Sequence, residues 1–186
     1  VKQPSWSRRY IAPNAASGDT EQVHALEVLS EILSGGTTGR VYRRLVVEQA
    51  LAVHTGSWYS SDNRGPGVFG FYGSPRPGKT LDEIETAVEA QIEDLLKNGV
   101  TEEEVRLAIE RMQAEAVFAR DSLTAPARIL GNALMTGQSI EDVEAWPERI
   151  GAVTVEAVNA AARSVFGNAG TVTTRLTPSK KTKDKS

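Results

Sequence analysis

The segment from Leu26 to Val53 limits the possible folds more than any other part of the chain, because its apolar pattern changes from helical to strand spacing. The first part has apolar residues at helical spacing, at Leu26, Leu29, Ile32 and Leu33. Gly35 and Gly36 follow, and glycine ends a helix easily because it adopts the left-handed conformation without strain. The segment therefore predicts a helix that stops at a glycine turn.

A second, basic helix is predicted directly after this turn. Val41 and Leu45 would face the core. Three arginines of the same helix would remain in solvent: Arg40, Arg43 and Arg44. From Leu51 onward the pattern changes to the alternation of a strand, so the predicted order is helix, glycine turn, helix, strand.

Strand and capping signals extend this order on both sides. Ser7 to Ala12 is predicted as a first strand, and Asp19 with Gln22 as the capping box of the first helix. Leu51 to Ser60 and Val68 to Gly73 are aromatic and rich in strand formers, with turn residues between them. These two runs predict an antiparallel hairpin.

The second half of the chain is predicted to be mainly helical. Thr80 with Glu83 begins one helix, which ends at Asn98 and Gly99, and Thr101 with Glu104 begins a longer one. Residues 122–166 predict three shorter helices, with breaks at residues 136–137 and 147–153. Residues 170–176 then close the chain as a strand.

The fold class predicted from this order is α+β. Neighbouring strands are expected to be antiparallel, so we expect one mixed or antiparallel sheet with helices packed on one face. One domain is predicted over residues 1–178, with residues 1–6 as the remnant of a linker and residues 179–186 as a basic, disordered tail. The polar, proline-containing start is expected to continue from a longer polypeptide.

Composition excludes several functional classes. The chain has 21 basic and 24 acidic residues without long blocks of one sign, so no nucleic-acid partner is expected. No apolar run has the length of a membrane span, and we expect a soluble protein of the bacterial periplasm or cytoplasm. Zero cysteines exclude disulfides and thiol catalysis. Serine-elbow, Walker and dinucleotide-binding motifs are absent from the sequence.

The two histidines are weak candidates for a metal site. His24 and Glu27 occupy the first and fourth positions of an HxxEH-type helix motif, but Val28 replaces the second histidine. Zinc catalysis needs three protein ligands, and His54 lies in a predicted strand, on the face of Ala52. The sequence therefore assigns no catalytic, cofactor-binding or metal residue to this chain.

The clustered acidic residues and the tryptophans are predicted to have structural rather than functional roles. Glu102 to Glu104, with Glu110 and Glu115, are predicted to form a solvated helix face, because carboxylates favour a first helical turn. The three tryptophans are too scattered for a stacking platform and predict core or interface packing: Trp6, Trp58 and Trp146.

The segment from Ala25 to Val53 resembles the second, non-catalytic half-domain of the pitrilysin/insulinase family of zinc metallopeptidases, which includes the mitochondrial processing peptidase. The resemblance extends to the opening residues 8–19, the hairpin, the helix break at residues 99–105 and the closing strand. It implies a duplicated α+β fold, in which the first copy carries HxxEH with a distal Glu and binds zinc. No zinc is expected in this chain.

The same resemblance implies partners. These are the chain's own N-terminal half, a homologous subunit in a hetero- or homodimer, and peptide substrates. In many members of this family the second half supplies an Arg and, seven residues later, a Tyr that hold the substrate backbone. Val46 and Val53 occupy these positions here, and neither side chain can donate a hydrogen bond.

Two functions are compatible with these residues. In one, the chain is the C-terminal domain of a zinc-dependent metalloendopeptidase, inert alone, with the gripping residues supplied by the partner subunit. The alternative is a catalytically inactive processing or scaffold subunit of the same family. The chain alone is expected to be inactive in both.

Overall fold

Four antiparallel strands form a single sheet in the computed structural model, which describes residues 3–16, 20–167 and 170–178. The strands are β1 (Ser5–Ala12), β2 (Ala52–Ser60), β3 (Gly67–Pro75) and β4 (Thr171–Leu176). Their order in the sheet is β2-β3-β1-β4, so the first strand lies between the hairpin and the last strand. The predicted hairpin and closing strand are therefore confirmed.

Helices follow in the predicted order. The first region contains α1 (Thr20–Ser34), a 3₁₀ turn (Gly36–Thr38), a short α2 (Arg40–Tyr42) and a π-helical turn (Arg43–Glu48). The helical block contains α3 (Leu81–Asn98), α4 (Glu102–Arg120), α5 (Ala125–Thr136), α6 (Ile140–Gly151) and α7 (Val155–Phe166). The capping boxes at Thr80 and Thr101 both form. Asp19 and residues 179–186 lie outside the described residues.

The core lies on one face of the sheet. Inward-facing aromatic residues of β1 and β3 pack against Phe166 of α7, and Tyr10 and Phe69 each meet its ring edge-on, with centroids 5.0 and 5.1 Å apart. The opposite face carries exposed apolar side chains, among them Ile11 and Val172. The predicted α+β class with helices on one face is confirmed.

Four local expectations were wrong. The first strand begins at Ser5, so Trp6 is buried in the sheet rather than part of a linker. Pro147 lies inside α6, where it did not end the helix. Arg40 is partly buried because it pairs with Glu104. Finally, a bulge between Ala52 and His54 shifts the alternation, so His54 is exposed and does not share the buried face of Ala52.

Candidate functional site

A groove of about 1330 Å³ runs between the edge of the sheet and helices α1, α4, α5 and α6. Its floor is formed by residues 57–59 of β2, which is the edge strand. One wall is α1, and the other is formed by α4, α5 and α6. This groove is the candidate functional site of the chain.

Polar residues of α1 form the wall of the groove, and the apolar residues on the other side of the same helix pack in the core. It consists of His24, Glu27, Ser30, Glu31 and Ser34. These positions are three or four residues apart and therefore lie on one side of the helix. The α4 wall follows the same spacing, at Met112, Glu115, Ala116 and Ala119. The apolar stripe of α1 predicts only its packing in the core; the spacing of the polar residues is the sequence signal that could have indicated this site.

His24 and Glu27 contact each other rather than an open metal position. His24 Nδ1 lies 3.1 Å from Glu27 Oε2, and Trp146 Nε1 donates to the same oxygen at 2.9 Å. Val28 is fully buried in the core. These residues do not fit a catalytic zinc, because two of the three required ligands are missing and Glu27 is already engaged. Across residues 3–16, 20–167 and 170–178, no cluster of three or more metal-ligating side chains is found.

Glu31 is the most buried carboxylate of the groove. Burial raises its pKa, the nearby charge of Arg111 lowers it, and the like charge of Glu115 raises it further, with a net upward shift. Arg111 Nε and Glu31 Oε1 are 3.0 Å apart. The α1 and α4 walls are thus joined by an ion pair, with Glu115 remaining exposed in the groove.

The three tryptophans lie in different surroundings, and one glutamate of the first turn of α4 is paired. Trp6 is in the core, as expected, whereas Trp58 and Trp146 both line the groove. The Trp58 ring lies below the guanidinium of Arg9, 5.8 Å from the ring centroid. Glu104 is not a solvated charge, because it is bound by Arg40.

The two positions discussed for substrate gripping lie outside the groove lining. Val46 is half-buried in the π-helical turn, and Val53 is exposed in the bulge of β2. Arg76 joins the two segments by donating to the backbone carbonyls of Val46 and Ala52, at 3.1 Å each. Neither valine presents a polar side chain at this place.

Comparison with known proteins identifies the class of domain. Residues 2–112 match the model of the peptidase M16 inactive domain, and the chain belongs to this family. It is similar to a protein named an uncharacterized zinc protease of Streptomyces coelicolor, with 27% identity over 83% of this chain and 33% of that protein. A protein of the same description from Bacillus subtilis is 24% identical over 78% of this chain and 35% of that protein. The chain spans about a third of the length of these relatives.

Solved structures show the same fold. A protease from Helicobacter pylori aligns with a TM-score of 0.87 and 20% identity, over 96% of this chain and 42% of the other. An inactive peptidase domain from Bordetella parapertussis aligns with a TM-score of 0.84 and 20% identity, over 97% of this chain and 95% of the other. Together with the family match, this confirms the resemblance to the non-catalytic half-domain of a zinc metallopeptidase. Among the helices of the described residues, none combines the length and the apolar composition of a membrane span.

Proposed function

We propose that this chain is the non-catalytic half of a zinc-dependent metalloendopeptidase and forms part of the wall of its peptide-binding chamber. The observation that carries the proposal is membership of the M16 inactive-domain family, since its curated relatives are named zinc proteases and match this chain over only about a third of their own length. Zinc, its HxxEH ligands and the distal Glu would come from the N-terminal half. The residues of this chain would shape the chamber without performing the chemistry.

The partial HxxEH match on α1 is consistent with zinc being bound by the other half. His24 and Glu27 bind each other, and Val28 is buried where a second ligand would be needed. A homologous subunit would supply the Arg and Tyr that hold the substrate, because Val46 and Val53 have no hydrogen-bonding side chains. The active assembly would therefore be a dimer in which each partner contributes a different part of the site.

Peptide hydrolysis with zinc tests the proposal. The full-length protein that contains this chain is assayed alone and then mixed with a homologous subunit encoded beside it, with the 186-residue chain as the control. Activity in the mixture only is the expected result. Zinc-dependent cleavage by the isolated chain would contradict the proposal.

The alternative is a scaffold subunit that has lost catalysis. The apolar pair Val46 and Val53 favours it as much as it favours gripping by a partner. The two functions differ in the full-length protein: the peptidase retains zinc, whereas the scaffold retains none and is silent in every mixture. Metal analysis of the purified protein therefore separates them before any substrate is known.

A further inference from the structure

The helix α5 has little of its surface in the core. The structure describes all 12 of its residues, and Ala133 is the one that is buried. Large apolar side chains of α5 are instead exposed to solvent, among them Leu134 at 56% and Met135 at 68%. The helix α7 has the same length and five buried residues: Val158, Ala161, Ala162, Val165 and Phe166. Because tertiary packing provides most of the stability of a helix in a protein, α5 should be held much more weakly than α7.

The sequence of α5 weakens the helix further. Gly131 lies in its interior, where glycine is the least favourable residue after proline. Apart from its own helix backbone, a Cβ at this position would meet nothing within 4 Å among the described residues, so packing does not require a glycine there. Exposed residues 121–124 precede the helix, and Gly137 ends it in the left-handed conformation, at φ 98°. A helix of low intrinsic stability thus lies between two exposed connections.

Two hydrogen bonds hold the C-terminal end of α5 against the turn between β2 and β3. Arg64 Nε donates to Met135 O at 2.9 Å, and Gln138 Nε2 donates to Asp62 Oδ1 at 3.1 Å. The turn itself is fixed, because the buried Asn14 donates to two of its backbone carbonyls. Both bonds to α5 are exposed to solvent, where water competes for the same groups and the net contribution of each bond is small.

The position of α5 decides how far the groove is open on one side. The helix lies between α4 and α6 in the groove wall and contributes six of the lining residues: Pro126, Arg128, Ile129, Leu130, Asn132 and Ala133. The floor at β2 and the wall at α1 belong to elements with many buried residues. Release of α5 would therefore open one side of the groove and leave the other sides in place.

We infer that α5 is a movable wall of the groove, which unfolds and leaves α4 and α6 while the rest of the chain stays folded. The bonds from Arg64 and Gln138 favour the closed form. A ligand that contacts α5 shifts the population toward the closed form, and a ligand too large for the closed groove binds the open one. The inference goes beyond the proposed function and does not depend on it.

Release of α5 is measured by thiol labelling of the 186-residue chain, which has its own core. The chain has no cysteine, so an introduced thiol is the one site that a thiol reagent can modify. The two variants are Ala133→Cys in α5 and Ala161→Cys in α7, at positions that are both buried. The first should react at least about 100-fold faster, at a rate that hardly changes in dilute urea.

The thiol of Ala161→Cys should react only through global unfolding, so its rate should rise steeply with urea. Equal rates and equal urea dependence in the two variants would mean that α5 is released only when the whole chain unfolds. That result would overturn the inference.

The hydrogen bonds from the turn are tested in the Ala133→Cys background. Arg64→Ala/Gln138→Ala removes both bonds and should speed labelling about fivefold. Arg43→Ala/Gln49→Ala is the matched control, because it removes the same residue types from exposed positions away from α5. The control should leave the labelling rate unchanged. Equal acceleration by both pairs would contradict a closed form held by this turn.

Gly131→Ala should act in the opposite direction. The alanine strengthens the helix without a steric conflict, so labelling of Ala133→Cys should slow about fivefold, while labelling of Ala161→Cys should not change. An unchanged rate at position 133 would contradict release by unfolding of α5. Because labelling needs neither zinc nor substrate, an inactive full-length protein would remove the proposed function and leave this result standing.

Discussion

Arg40 and Glu104 form a bidentate ion pair that connects the start of α2 to the first turn of α4. Arg40 Nε lies 2.6 Å from Oε1 of Glu104, and Arg40 Nη2 lies 2.6 Å from Oε2. Glu104 also accepts from the backbone N–H and the hydroxyl of Thr101, at 2.8 and 2.9 Å. One carboxylate therefore caps α4 and anchors the segment after the glycine turn.

This pair predicts a loss of stability in acid. Burial alone would raise the pKa of Glu104, but the hydrogen bonds from Arg40 and Thr101 outweigh it and lower the pKa from 4.5 to about 2. Because the folded-state pKa is depressed, the contribution is complete above pH 4.5 and is lost as the pH falls toward 2. After allowance for solvent screening we expect it to be worth about 1–2 kcal/mol. Urea unfolding of the chain and of Glu104→Gln between these pH values measures it.

The neighbouring Glu103→Gln is the control for this experiment. Glu103 pairs with Arg106 in solvent, so its removal should leave the free energy of unfolding nearly unchanged. If Glu104→Gln left the acid dependence of stability unchanged, the ion pair would not contribute in solution. A double-mutant cycle with Arg40→Gln would then show no coupling energy.

Ala50 predicts a stabilising substitution. It is the one non-glycine residue with positive φ among those the structure describes, at 50°, and it connects the π-helical turn to β2. Left-handed backbone costs a residue with a Cβ about 1–2 kcal/mol, whereas the added flexibility of glycine costs about 0.4–1 kcal/mol. Ala50→Gly should therefore stabilise the chain by about 0.5–1 kcal/mol in chemical unfolding. Gln49→Gly, next to it at φ −93°, should destabilise instead.

Gly67 and Gly65 predict opposite tolerance to a methyl group. A Cβ on Gly67 would lie 2.0 Å from the backbone oxygen of Pro13, whereas one on Gly65 would meet nothing within 4 Å. Gly67→Ala should therefore force β3 away from the loop after β1 and cost about 2 kcal/mol or more. Gly65→Ala should stay within about 0.5 kcal/mol of the unmodified chain. A similar melting temperature for the two variants would show that this close approach is absent in solution.

The sequence predicted the elements well because their signals are local. Thr80 with Glu83 and Thr101 with Glu104 begin helices by contacts within one turn, and both predictions were correct. The errors arose where a distant residue decides the outcome. Arg40 has the sequence pattern of a solvated charge, and only the fold brings Glu104 to it, 64 positions along the chain.

The groove shows the same limit. Its walls come from α1, α4, α5 and α6, and no local pattern indicates that these helices surround the edge of β2. The spacing of the polar residues of α1 can be seen in the sequence. It does not identify a groove wall, because a helix face exposed to solvent has the same spacing. The bulge between Ala52 and His54 could not be predicted from the sequence either, because a bulge is defined by how β2 pairs with β3.

Substitutions in the partial HxxEH match on α1 are expected to have no effect on zinc binding. His24 Nδ1 and Glu27 Oε2 are 3.1 Å apart, and Val28 is buried, so this helix turn does not offer the ligands of a catalytic metal. His24→Ala and Glu27→Gln in the full-length protein should therefore leave the zinc content unchanged, as should His54→Ala at the exposed bulge. Any of these variants that stays folded, by circular dichroism, but loses zinc in atomic absorption would place the metal in this half. That result would contradict the proposal that the zinc ligands lie in the N-terminal half.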